Sequence, residues 1–290
     1  MKPCAGSSSL VPWILLAPIL AVLAVFFVSP VAILARFSFY IARPGGQMVQ
    51  AWVLQNYKRF LADSFHLGVL WNTISLGLWV TALCLVLGYP LAYSLARTRY
   101  PRRRSLGVTI LLVPLMTSVV VRSYGWLILL ASSGPINKLL LALGLVDRPL
   151  QLLFKPPGVV VALAEVLLPF MVLSIMPVLQ GVDPHLEEAS RSLGAGPVQT
   201  FLQIVLPLSL PGVAAGSILV FVLTISAFAT PRLIGGATTH VMSIFIYDQA
   251  LGVFNWPFGS AVSMLLLFVV LVLTWLQGRA LEGQGLGGAG

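Results

Sequence analysis

DPHLEEASRSLGAGPVQTFLQIVLPLSLP, residues 183–211, is the most polar stretch between two long apolar runs, and its reading decides the fold. It holds Asp183, Glu187 and Glu188, three of only eight acidic residues in the chain. Asp183 is a good N-cap residue, and Pro184 suits the first helical position, where a missing N–H costs little. Glu187 and Glu188 follow near the positive end of the helix dipole. Leu186, Ala189, Ser190 and Leu193 recur at helical spacing and form a small apolar face. On the opposite face Glu187 and Arg191 stand four apart, a pairing worth about 0.2–0.5 kcal/mol. Gly194 is placed to end the helix as a C′ residue. Pro197 opens a second helix, which Pro207 and Pro211 are expected to break. The expectation is a short helix, a bend and another short helix, lying outside a bilayer.

The flanking chain supplies the bilayer. Hydrophobic residues make up 58% of the sequence and charged residues 9%, against about 25% charged in a soluble domain. The composition predicts an all-α polytopic membrane protein. A spanning helix needs about 20 mostly apolar residues. Six stretches qualify: residues 11–34, 67–96, 106–130, 158–179, 212–230 and 259–277. Residues 1–10 form an N-terminal segment, 183–211 the loop between spans four and five, and 280–290 a Gly-rich tail expected to be flexible. The first apolar run is longer than a secretory signal core and reads as an uncleaved span. Residues 51–63 read as a short amphipathic helix at the membrane surface, and residues 132–156 as a loop punctuated by Gly134-Pro135 and Pro156-Pro157. Asn72, Thr73 and Gly88-Tyr89-Pro90 mark packed or kinked parts of the second span.

The net charge of +9 raises the question of nucleic acid. Five of the 17 basic residues sit between Arg97 and Arg104, however, in a short connection between two spans. That is the pattern of a cytoplasmic loop. With six spans, the termini and the Glu188 loop share its side. Basic residues total eight on each side, so the density in that loop carries the orientation.

The chemistry of the chain is sparse. None of the four lysines follows a glycine, so there is no phosphate-binding loop and no means of hydrolysing ATP. His66, His185 and His240 are scattered, and no Cys/His set has metal-ligand spacing. No Gly-x-Ser-x-Gly nucleophile appears, and the chain does not read as an enzyme. Cys84 lies in an apolar run as a small hydrophobe, and Cys4 follows Met-Lys-Pro, which is not a lipidation signal. Glu165 is the one acidic residue deep in an apolar run. A carboxylate there must face the protein interior or water. It suits a cationic solute on a translocation path, or a structural carboxyl bonded to a neighbouring helix. Arg122, Tyr124 and Trp126 read first as an interfacial anchor. Tyr124, Trp126 and Asp248 join Glu165 as candidates for the solute path.

One motif goes further than physics alone. Glu188-Ala189-Ser190, three residues, Gly194, nine residues, then Ile204-Val205-Leu206-Pro207 resembles the Glu-Ala-Ala loop of ATP-binding-cassette importer permeases, with serine for the second alanine. Asn72-Thr73, Gly88 to Tyr93, Arg122 to Trp126, Leu168 to Leu173 and Leu233 to Gly236 are similar to the spermidine/putrescine permease branch. The resemblance implies a six-helix type I importer subunit in the bacterial inner membrane, with cytoplasmic termini. It implies a second permease, two ATPase subunits that hold ATP and Mg, and a periplasmic solute-binding protein as partners. It also implies that Glu188 to Gly194 form a coupling helix seated in an ATPase groove. Glu188 would meet a basic residue there, Ala189 and Ser190 would allow close approach, and Gly194 would set the bend, beside Glu187 and Arg191. The implied cargo is a polyamine; related permeases carry opines, phosphonates, iron or sulfate. A self-powered secondary transporter would show several intramembrane ionisable residues and repeated broken helices. A membrane scaffold would need no such loop.

Overall fold

The computed structural model describes residues 10–43 and 45–285, with side-chain surroundings for residues 16–43 and 45–279. Lys2, Cys4 and the last five residues of the tail lie outside the described residues. Among the described residues the chain is mostly helical, and six stretches are long and apolar enough to cross a membrane. They are Leu16–Phe37, Ser64–Arg97, Val119–Ala142, Pro156–Gly181, Pro197–Ser226 and Trp256–Arg279. The backbone forms two compact units, one of residues up to Asp63 with Ile246–Leu267, the other of Ser64–Phe245 with the residues from Phe268 onward.

In the first unit, α1 (Leu10–Leu23) and α2 (Ser29–Phe37) join through the wide turn Ala24–Val28 into one helical run. A two-residue ladder of β1 (Ile41–Ala42) and β2 (Met48–Val49) follows, with Ile41 opposite Val49. The amphipathic segment forms α3 (Gln55–Ala62), whose Phe60 is buried. The Asn56 amide donates to the carbonyls of Ser38 (2.8 Å) and Tyr40 (2.9 Å), and the Tyr57 hydroxyl donates to Ser38 Oγ (2.7 Å). These bonds tie α3 to the end of the first span.

The second unit is built on α4 (Ser64–Arg97). It continues through α5 (Pro101–Leu112), α6 (Val119–Leu130), α7 (Pro135–Ala142), α8 (Pro156–Gly181), α9 (Pro184–Ser192), α10 (Pro197–Thr200) and α11 (Leu206–Ser226). α12 (Met242–Tyr247) and α13 (Trp256–Gly285) close the chain. The core is the triangle of α4, α8 and α11, with Val80, Cys84, Met171, Ile175 and Val220 fully buried. In lipid no hydrophobic force separates helix from solvent, so association rests on close packing and polar links. Both are present. A Cβ on Gly212 would come within 3.0 Å of the Ser174 carbonyl oxygen and 3.1 Å of Ile175 Cα. On Gly216 it would come within 2.8 Å of Met171 Sδ. Tyr89 and Ser209 share a hydroxyl bond of 2.7 Å, and Thr73 Oγ1 accepts from the Met242 amide at 2.8 Å. Gly212→Val is therefore expected to cost about 1–3 kcal/mol by overpacking against backbone that has no room to give. Thermal unfolding of the purified chain checks this; an unchanged transition would show that α8 and α11 part there freely.

Four expectations about the helices are corrected. The third span is not one helix over residues 106–130. It breaks between α5 and α6, where a tight turn at Val113–Met116 leads into extended Thr117 and Ser118. Pro114 leaves this turn without a donor, and the Arg122 guanidinium donates to the Pro114 carbonyl, which also accepts from the Thr117 amide at 3.2 Å. Pro207 and Pro211 do not end a helix. From Pro197 to Ser226 the chain stays helical through the wide turn Phe201–Val205, and the fifth span begins in the polar loop. Pro207 closely follows the wide turn Phe201–Val205, whose altered hydrogen-bond spacing accommodates the missing N–H within the helical run. The expected loop at residues 132–156 contains α7, and the tail expected to be flexible is helical as far as Gly285.

Candidate functional site

The bent element begins as its sequence dictates. The Asp183 side chain accepts from the His185 amide at 2.9 Å, capping α9. At its other end the Gly194 amide donates to the Arg191 carbonyl (3.0 Å) and the Ala195 amide to the Ser190 carbonyl (3.1 Å). Gly194 has φ +89°, a conformation that disfavours any residue with a Cβ. Ser190 Oγ and Thr200 Oγ1 are 3.1 Å apart and link the two arms of the bend.

What α9 buries is not its apolar face. Glu187 is 7% exposed and points back to the end of α4. Arg97 meets its Oε1 through Nη2 (2.6 Å) and Nε (2.8 Å), and the Tyr93 hydroxyl donates to Oε2 at 2.8 Å. Arg97 Nη1 also donates to the Val182 carbonyl at 2.9 Å, just before α9. The expected Glu187–Arg191 pair does not form. Arg97 offers a planar fork from a rigid helix end, and a charge-assisted pair at low exposure outcompetes a solvated i,i+4 contact. Tyr93 and Arg97 were not singled out from sequence for this role. Their partner lies some 90 positions away, and their signal was only a span ending in arginine.

With Glu187 turned inward, the small apolar face is left outward. Leu186, Ala189 and Leu193 are exposed, Leu193 at 89%. With Ser190, Gln203 and Ile204 they border a cavity of about 480 Å³. The Glu188 carboxylate is also exposed, on another side of the helix, 3.2 Å from His185 Nδ1. A helix that is charged toward its own protein and apolar toward solvent is built to be covered.

The second locus lies within the spans. The Trp126 indole donates to Glu165 Oε2 at 3.4 Å, and Arg122 Nε stands 3.6 Å from the same oxygen. Arg122 is thus not an interfacial anchor: its guanidinium serves Glu165 and the Pro114 carbonyl. Pairing is the economical state for both charges where water is scarce. Glu165 opens onto a mostly apolar cavity of about 380 Å³, bordered by Leu87, Ile110, Trp126, Leu168 and Pro169. Tyr124 is 56% exposed and shares no bond or ring contact with this group among the described residues. Asp248 belongs to the other unit, where it opens the wide turn Asp248–Gly252.

The family model described as binding-protein-dependent transport system inner membrane component matches residues 85–280. The chain is 37% identical to the spermidine/putrescine transport system permease protein PotB of Escherichia coli (strain K12), over 84% of this chain and 89% of that one. It is 35% identical to the protein of the same name from Salmonella typhimurium (strain SL1344), over 93% and 94%. Among solved structures, a bacterial alginate ABC transporter in complex with alginate pentasaccharide-bound periplasmic protein superposes with TM-score 0.72 at 20% identity, covering 95% of both chains.

Proposed function

This chain belongs to the binding-protein-dependent transport system inner membrane component family and is a multi-pass transmembrane permease of an ABC importer, and we propose that its cargo is a polyamine and that α9 receives the driving motion. The observation that supports the second half most directly is the inversion of α9. Its carboxylate Glu187 is anchored to α4, while Leu186, Ala189 and Leu193 face outward beside a cavity and Glu188 is exposed on another side of the helix. A partner seated on that face pushes against a helix that cannot slide independently of the second span. Because α10 runs without a break into the fifth span, a shift of the bend also reaches α11. Rigid-body transmission of this kind needs no nucleotide on the permease itself.

On this proposal the bent element faces the cytoplasm, as do both termini, and docks on one of two ATP-hydrolysing subunits that hold ATP and Mg. A second permease completes the path, and a periplasmic solute-binding protein delivers cargo. Pull-down of the full chain from membranes is expected to recover an ATP-binding subunit. Uptake driven by the chain alone, without ATP hydrolysis, would overturn the proposal.

Polyamine cargo rests on the PotB relatives, whose names give that substrate, and on the chemistry around Glu165. A polyamine is a run of methylenes with ammonium ends. The cavity at Glu165 offers apolar walls and one carboxylate, with the Trp126 ring at its edge. Arg122 already neutralises part of that carboxylate, so a passing ammonium competes with it for Oε2. Glu165→Gln keeps an acceptor oxygen for Trp126 and removes only the charge. The expected result is a fall in maximal spermidine uptake on the order of tenfold, equivalent to about 1.4 kcal/mol. Uptake that is unchanged, or excess opine, phosphonate or sulfate that competes where putrescine does not, would remove polyamine from the proposal.

A further inference from the structure

A third cavity, of about 490 Å³, lies on the face of α9 that carries Glu187 and Arg191. Its border holds four arginines, Arg97, Arg99, Arg104 and Arg191, against two carboxylates, Glu187 and Glu188, which leaves two positive charges in excess. The acidic side chains are already engaged. Glu187 is taken by Arg97 and Tyr93, and Glu188 stands 3.2 Å from His185. Among the described residues no carboxylate pairs with Arg99, Arg104 or Arg191. The positive end of α5 (Pro101–Leu112) falls between Arg99 and Arg104 and adds to the same field. The excess guanidinium charge raises a positive potential over the hollow that favours entry of an anion.

We propose that this cavity binds the phosphate-ester oxyanion of an anionic phospholipid headgroup. Guanidinium groups recognise such oxygens with paired N–H bonds, and three of them converge from two separate chain segments. The cavity opens at the Arg97 end of the span Ser64–Arg97, the depth at which headgroups lie. The ligand then bridges the α4–α5 connection and the bent element, so the lipid steadies the surface from which α9 works. The inference uses only the charge geometry of this chain and is independent of which solute is carried.

The test uses the full chain in nanodiscs of phosphatidylcholine with a minority of phosphatidylglycerol, stripped by detergent and read by native mass spectrometry. The expected result is phosphatidylglycerol retained in preference to phosphatidylcholine. In Arg99→Gln/Arg104→Gln, retention weakens by roughly thirtyfold, from ~1 kcal/mol for each basic side chain at a lipid surface. Arg99→Lys/Arg104→Lys keeps a weaker preference, because the charge remains while the paired N–H fork is lost, and separates the effect from a change in fold. Circular dichroism shows whether the glutamine variant is folded; if it is not, the lysine variant against native chain in phosphatidylserine-for-phosphatidylglycerol exchange decides, with equal retention of the two anionic lipids expected. Equal retention of phosphatidylcholine and phosphatidylglycerol by the native chain overturns the proposal. So does displacement of the retained lipid by millimolar inorganic phosphate, which would make a soluble anion the ligand.

Discussion

Glu187→Ala is expected to abolish solute uptake and to destabilise the chain by about 3–5 kcal/mol, the cost of leaving one member of a buried ion pair without its partner. Arg97 would then keep its place beside the Val182 carbonyl with a guanidinium only 18% exposed and no carboxylate to answer it. Tyr93 would lose its acceptor as well. Because Arg97 retains a little water, the lower end of that range is the better expectation. Thermal unfolding of the purified chain, with uptake measured in parallel, tests both halves. Arg97→Met/Glu187→Leu separates them, because an apolar pair of similar size restores much of the stability. If the ion pair only holds the fold, the double variant transports. If it fixes the angle at which α9 meets α4, stability returns and uptake does not. A native transition temperature and native uptake in Glu187→Ala would refute the anchor altogether.

Glu188→Arg and Gly194→Val are expected to leave the protein in the membrane at normal level and to disconnect uptake from ATP hydrolysis. The two act differently. Glu188 is 64% exposed and supports nothing in the fold beyond its contact with His185 and the Ser192 hydroxyl on its carbonyl. Reversing its charge therefore acts on the partner face. Gly194 has open space around it, so a side chain there meets no clash; the cost is conformational. At φ +89° a β-branched residue is strained by roughly 1–2 kcal/mol, and the bend that links α9 to α10 opens. The measurement is ATP hydrolysis by the assembled importer with and without loaded binding protein. Loss of stimulation with basal hydrolysis retained is the expected pattern. Full uptake in both variants would mean that the exposed face of α9 is not the contact.

Much of this was legible in the chain itself. The apolar lengths gave the first, second, fourth and sixth spans within about five residues at each end, because a bilayer imposes a length that composition must meet. The cap at Asp183 and the glycine end at Gly194 are local signals, satisfied by backbone groups two to five residues away, and both formed as read. Prolines misled. Pro114 broke a span expected to be whole, while Pro207 and Pro211 left one whole that was expected to break. A proline states that a donor is missing; it does not state whether a wide turn, an arginine or a neighbouring helix will make good the loss.

The sequence by itself determined the class, four of the six spans and the two ends of the bent element, since each depends on residues adjacent in the chain. Which way that element faces was decided only in three dimensions. Leu186, Ala189 and Leu193 are apolar and, on hydrophobicity alone, belong inside, with Glu187 outside. Arg97 and Tyr93, brought from the far end of another helix, gave Glu187 a partner worth more than that preference, and the apolar face was left for something else to cover.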